Sequence, residues 1–219
     1  MKKKINLILD LDETIINSEK IKNIDSIEDI KNKYSKLKSH QYENYFLIFE
    51  RPGLQNFLDY IFENFNVSIW TAASKDYALF IIDNIILSKK ERILDYIFFD
   101  YHTIISNNIN KGCTKQIEIL KTLFDIKHLK IENTVILDDN INKVYNCQKN
   151  NCIVAKPFDL LNDQKSYTED IFLEILQVQL NILFDEFVNT KDVQPYIKNI
   201  NRKLNVIKNI NKKLNVIKK

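Results

Sequence analysis

The stretch LILDLDETII, residues 7–16, decides how the chain is read. Leu7, Ile8 and Leu9 have the character of a buried strand, and the chain then turns acidic. Asp10, Asp12 and Glu13 fall within four residues, with Thr14 next. An apolar strand ending in carboxylates makes sense by position. In an open α/β sheet, ligands bind just beyond the carboxyl ends of the strands. Two later apolar runs end in the same way: Val67 to Trp70 stops at Thr71, and Thr134 to Leu137 stops at Asp138-Asp139. If these strands are neighbours, five polar residues meet in one crevice. Carboxylates at close range repel each other unless they share a cation or a proton. The set contains no His or Cys, and hard oxygen donors of this kind point to Mg²⁺. Asp and Thr also cap helices and make turns at strand ends. Recurrence after three apolar strands is what argues for a site.

Working outward, apolar runs alternate with helical periodicities. Tyr45 to Phe49 reads as a strand, broken by Arg51-Pro52-Gly53. Leu54, Phe57, Leu58, Ile61 and Phe62 mark one face of a helix. Further helices are expected at about 75–87, 114–124, 141–149 and 166–188, and further strands at 96–99 and 152–155. Between the first strand and Tyr45, Ile21, Ile24, Ile27, Ile30, Tyr34 and Leu37 recur at spacings of three and four. That predicts a small helical insert over 18–40. Alternating strands and helices argue for an α/β fold, a parallel sheet covered on both faces.

The 219 residues, 45% of them hydrophobic, suit one domain over 1–189, followed by a basic tail over 190–219. From Thr190 to Lys219 nine Lys or Arg face one acid, Asp192. That balance of +8, against a total of +3, leaves −5 for the rest. The tail repeats itself: NINRKLNVIK (199–208) is followed by NINKKLNVIK (209–218). Its Ile and Leu spacing suits an amphipathic basic helix. An anionic partner, a partner chain's apolar groove or the chain's own mildly acidic body is the expected match, and a slipped repeat without a role is the bland alternative. No apolar run approaches the roughly 18 residues of a membrane span. Asp10 and Asp12 interrupt the short apolar run behind the basic start, which argues against a signal peptide. The expectation is an intracellular protein, cytoplasmic or nuclear. Only Gly53 and Gly112 occur, so glycine-rich phosphate loops are excluded. Cys113, Cys147 and Cys152 match no zinc spacing or disulfide framework and are expected as buried or half-buried free thiols. His40, His102 and His128 lie away from the strand ends and are expected to have no catalytic part.

These motifs resemble the haloacid-dehalogenase superfamily: DLDET, then a strand ending in Thr, then a Lys, then an Asp pair. More narrowly, ERPGLQNFLDYIFENFNVSIWTAASKDYA and VILDDN are similar to the small C-terminal-domain phosphatases. The resemblance covers about residues 5–160. It implies a Rossmann-like three-layer fold and Mg²⁺-dependent phosphomonoester hydrolysis through an aspartyl-phosphate. Asp10 would be the nucleophile and Asp12 the general acid and base. Thr71 and Lys115 would hold the phosphoryl oxygens. Asp10, the backbone carbonyl of Asp12, and Asp139 would hold the metal, with Asp138 close by. Lys111 and Lys121 are rivals to Lys115, because Gln116 stands where the family usually has Asp. The implied substrate is phosphoserine or phosphothreonine in a protein, with the C-terminal repeat of RNA polymerase II as the family's suggestion. The alternatives are a phosphatase for small molecules or nucleic-acid ends, or a catalytically degenerate binding module.

Overall fold

The computed structural model describes residues 5–160, 167 and 170–217, with side chains as far as 205. A five-stranded sheet forms the centre. Its strands are β1 (Asn6–Leu9), β5 (Asn66–Trp70), β6 (Ile97–Phe98), β7 (Thr134–Asp138) and β8 (Cys152–Val154), in the order β6-β5-β1-β7-β8. Every pairing is parallel, with Leu9 opposite Ile69 on one side and Leu137 on the other. This register brings the three polar strand ends side by side.

β1 reads as an unbroken apolar run because both of its faces are covered. Successive side chains point to opposite faces. Leu7 and Leu9 therefore join Val67, Ile69, Val135 and Leu137 in one core layer, while Ile8 joins Trp70, Phe98 and Ile136 in the other. The first layer is closed by α2 (Leu54–Asn64), α3 (Lys75–Ile81) and α6 (Phe172–Thr190). Gly53 starts α2 in a left-handed conformation, φ 77°. The second layer packs on α5 (Ile117–Thr122) through Ile117, Ile119 and Leu120.

The insert differs from expectation. It holds one short helix, α1 (Ile27–Lys33), between β2 (Ile16–Lys20) and β3 (Ser39–Tyr42). These strands flank β4 (Phe46–Glu50) in an antiparallel sheet ordered β2-β4-β3. The apolar spacing was real but does not trace one helix. Ile21, Ile24, Ile27, Ile30 and Leu37 pack around Tyr34, Leu47, Phe49 and Phe158 from a mixture of turn, helix and loop.

Three other elements depart from the sequence reading. Residues 141–149 form turns with a single 3₁₀ turn, Tyr145–Cys147, instead of a helix. The helix expected at 75–87 widens to π geometry over Ile82–Ile86. A helix not anticipated, α4 (Asp100–Ile109), follows β6. The expected helix start at 166 lies outside the described residues, and α6 begins at Phe172.

The break expected near 190 coincides with the end of α6, yet packing crosses it. Lys191 turns the chain with φ 61°, and α7 (Gln194–Ile217) follows. Val193, Ile197 and Ile200 are buried in the first core layer. Asn201 is buried too: its carboxamide accepts from Val154 N at 2.8 Å and donates to Cys152 O at 2.8 Å, closing the free edge of β8. The second copy of the repeat, 209–218, and any partner for its basic face lie outside the described side chains. No helix among the described residues is long and apolar enough to cross a membrane.

Candidate active site

Asp10 continues the ladder beyond β1, its N–H donating to Leu137 O at 3.0 Å. The chain then turns sharply. The N–H groups of Thr14, Ile15 and Ile16 all point at Leu11 O, and Glu13 takes φ 57°. This turn sends Asp10 and Asp12 to different surroundings.

Asp10 faces the second strand end. Lys115 Nζ lies 2.5 Å from Asp10 Oδ1 and 2.6 Å from Asp138 Oδ2, and all three residues are buried. Carboxylate oxygens of Asp10, Asp138 and Asp139 come within 4.8 Å of one another. Three carboxylates thus crowd together around one ammonium, which pairs with Asp10 and Asp138. Burial pushes Asp10 up to about 8; Lys115 opposes this and Asp138 reinforces it. Asp139 is pushed up to about 6, chiefly by burial and then by Asp138. Burial works against the Lys115 charge, but Asp10 and Asp138 outweigh it and hold its pKa above the ordinary range.

Thr14 shows where charge is still uncompensated. Its hydroxyl sits 3.1 Å from Asp10 Oδ2 and 3.3 Å from Asp139 Oδ1, and one proton cannot fully satisfy both. The donor set is all oxygen and crowded with negative charge, which fits a small divalent cation. Asp138 Oδ1 is already taken by the Asn140 N–H at 2.8 Å.

Asp12 stands apart from this cluster and faces the antiparallel sheet. Tyr77 donates to Asp12 Oδ1 at 2.7 Å, and Ser18 on β2 makes a short hydrogen bond to the Tyr77 hydroxyl. Burial raises the Asp12 pKa, while hydrogen bonds from Tyr77 and Ser18 oppose the rise. Tyr77 comes from the first turn of α3. Its hydroxyl holds Asp12, and its ring packs 5.7 Å from Tyr42 and 5.0 Å from Phe46.

Thr71 ends β5, its N–H donating to Phe98 O at 2.9 Å. Its hydroxyl accepts from Ala73 N at 3.0 Å, so it organises the strand-end turn. Of the three rival lysines, Lys111 and Lys121 are exposed and only Lys115 is buried among the carboxylates. α4 explains how its loop is held. Ser106 donates to Cys113 O at 2.9 Å and accepts from Gln116 N at 3.1 Å, while Gln148 caps Lys115 O. Gln116, which departs from the family pattern, therefore anchors the loop through its backbone.

Arg51 was read as part of a strand break and of the ERPG stretch that carries the family resemblance, with no role assigned. It is buried and braces the DLDET turn, donating to Thr14 O at 2.7 Å and Lys156 O at 2.9 Å. It pairs with Asp170 at 2.9 Å and lies over the Phe172 ring at 4.2 Å. The signals available in sequence were a basic residue at the end of an apolar strand and its place in the ERPG stretch.

Comparison with solved structures supports this architecture. Fcp1, an essential RNA polymerase II CTD phosphatase, superposes with a TM-score of 0.59 at 16% identity, covering 84% of this chain and 63% of that chain. A fission yeast Fcp1 variant bound to beryllium fluoride gives 0.59 at 18% identity, covering 88% of this chain and 69% of that one. The shared fold defines a class, α/β proteins built on a five-stranded parallel sheet covered on both faces. Within that class, the chain belongs to the NLI interacting factor-like phosphatase family, which matches residues 5–194. The CTD phosphatase-like protein 355R of Invertebrate iridescent virus 6 is 39% identical over 181 residues, 80% of this chain and 99% of that protein. Its namesake in Invertebrate iridescent virus 3 is 36% identical over 183 residues, 81% and 94% of the two chains.

Proposed function

We propose that the chain is a Mg²⁺-dependent phosphatase that hydrolyses phosphoserine or phosphothreonine in proteins through an aspartyl-phosphate on Asp10. The observation that carries this reading is Lys115, buried between Asp10 and Asp138 with Asp139 and Thr14 alongside. Asp10 attacks phosphorus, and Asp12 gives a proton to the departing alkoxide. Asp12 then takes a proton from the water that splits the P–O bond to Asp10, and inorganic phosphate leaves. Lys115 stabilises charge on the phosphoryl oxygens, and Thr71 orders the backbone at the neighbouring strand end. Asp10, the Asp12 carbonyl and Asp139 would hold the metal, with Asp138 beside them. When bound, Mg²⁺ offsets repulsion between the carboxylates and the phosphate.

The viral CTD phosphatase-like relatives and Fcp1 support a phosphoprotein substrate, and the RNA polymerase II C-terminal repeat is the one we propose. Hydrolysis of a generic aryl phosphate, with and without Mg²⁺, tests the activity. Phosphorylated heptad peptides set against nucleotides and sugar phosphates test the substrate class. Preference for the small molecules would overturn the protein-phosphatase reading, and no turnover of anything would favour a binding module.

Two expected outcomes follow from the geometry. Excess chelator stops hydrolysis and added Mg²⁺ restores it, because three carboxylates with one ammonium repel a phosphate dianion. Full activity in chelator would sink the metal assignment. Tyr77→Phe removes the donor to Asp12. A hydrogen bond to a charged group contributes about 1.5–3 kcal/mol, so turnover falls by roughly 10- to 100-fold. Steady-state kinetics on the folded variant read this directly, and unchanged kcat would separate Tyr77 from the proton-transfer step.

A further inference from the structure

We propose that Cys113 and Cys147 form a modification site, in which a hydroperoxide closes an intramolecular disulfide that displaces Lys115. The second half, the effect on hydrolysis, rests on the function proposed above.

Cys147 ends the 3₁₀ turn that follows β7 and is exposed, against the sequence expectation for all three thiols. Its Sγ lies 3.3 Å from Lys143 O and 3.6 Å from Gly112 O. Gly112 immediately precedes Cys113. On the other side, Thr114 donates its N–H and hydroxyl to the same Lys143 carbonyl, at 2.9 and 3.3 Å. The backbone on both sides of Cys113 is thus tied to the place where the Cys147 thiol sits. Both cysteines line one cleft of about 530 Å³ with Lys111, Asn142 and Asn146, so a small oxidant reaches Cys147 from solvent. Burial, and then the adjoining Cys147 thiol, push Cys113 up to about 12. Cys113 is therefore the resolving partner, not the first to react. Cys152 is wholly buried on β8 and stays outside this chemistry.

The step balances. The Cys147 sulfur attacks one peroxide oxygen, the O–O bond breaks, and a sulfenic acid and one water form from hydrogen peroxide. The Cys113 sulfur then attacks the Cys147 sulfur, the S–O bond breaks, and a second water leaves. Two thiols lose two electrons and two protons, and the peroxide is reduced to two waters.

The consequence lies two residues away. A disulfide holds its sulfurs about 2.05 Å apart, well inside the roughly 3.5–4.0 Å of non-bonded contact between carbon atoms. Closure draws Cys113 toward the 145–147 turn and carries Lys115 with it. That lysine is held between two carboxylates at 2.5 and 2.6 Å. A displacement of about 1 Å at a positioned catalytic group costs on the order of 100-fold in rate.

The test treats the full chain with hydrogen peroxide, then quenches it. Intact mass is expected to fall by two hydrogens, and titratable thiols to drop from three to one. Peptide mapping is expected to link Cys113 to Cys147, and aryl-phosphate hydrolysis to fall at least 10-fold and return with a dithiol reductant. Cys147→Ser is expected to hydrolyse normally and resist peroxide, whereas Cys152→Ser responds like the parent chain. Three free thiols after treatment, oxygen addition at Cys147 without a link, or a link to Cys152 would each overturn the site. A Cys113–Cys147 link with unchanged hydrolysis would overturn the coupling to Lys115. The mass and thiol readouts hold even for a chain without turnover, so failure of the site and failure of the phosphatase reading are told apart.

Discussion

Asp10→Asn is expected to remove at least about 10⁴-fold of turnover, the scale seen when a covalent nucleophile is lost, while leaving the fold in place. The exchange keeps the shape of the side chain but takes away the charge that the proposed mechanism uses for attack. β1 is buried on both faces and paired with both neighbours, so the strand itself does not depend on that charge. Circular dichroism and thermal unfolding check the fold, and aryl-phosphate hydrolysis checks the chemistry. Asp12→Asn is expected to lose less, roughly 10²- to 10⁴-fold, because in the proposed mechanism it removes general acid–base help and leaves the nucleophile. Normal turnover by Asp10→Asn would place the chemistry elsewhere.

Ending the chain after Val188 is expected to be nearly as damaging, for a different reason. It deletes Val193, Ile197 and Ile200, which are buried in the core layer beneath α2 and α6. Burying each such aliphatic contributes about 1.5–3 kcal/mol, against a typical total stability of about 5–15 kcal/mol. It also strips Asn201 from the edge of β8, leaving the Val154 N–H and Cys152 carbonyl without their partner. A large drop in melting temperature or insoluble protein is expected. Ending the chain after Asn205 keeps all these contacts and is expected to leave both stability and hydrolysis near those of the full chain. If the shorter chain melts normally, the first turns of α7 are dispensable and the tail begins where its charge does.

The contrast between what was legible in sequence and what was not follows burial chemistry. Asp10, Thr71 and Asp138 were legible because each ends an apolar strand, and a parallel sheet aligns strand ends without further information. α4 was not, because it faces the strand ends with hydroxyls where an apolar stripe was sought. Thr103 accepts from Trp70 Nε1 at 3.2 Å and donates to Thr71 O at 3.4 Å, and Ser106 holds the Lys115 loop. β3 was missed because SHQY is polar and none of its residues is buried, so its alternation carries no apolar signal. The role of Tyr77 was hidden because its partner Asp12 lies 65 positions away. Arg51 was hidden in the same way, reaching Asp170 across 119 positions.

The central place of β1 also sets an order in time. It precedes the other described strands in sequence, and its partner β7 lies more than a hundred residues downstream and brings Asp138 with it. At about 5–20 residues per second of synthesis, the DLDET strand waits roughly 6–25 s for that neighbour. During this interval Leu7, Ile8 and Leu9 have both edges open until β5 arrives and one open thereafter, which is a hazard for mispairing in a crowded cell. Arg51 waits longer still, since Asp170 emerges after every strand of the sheet. A nascent chain therefore carries Asp10 well before it can assemble the charge cluster around it, because most of the sheet is made in between.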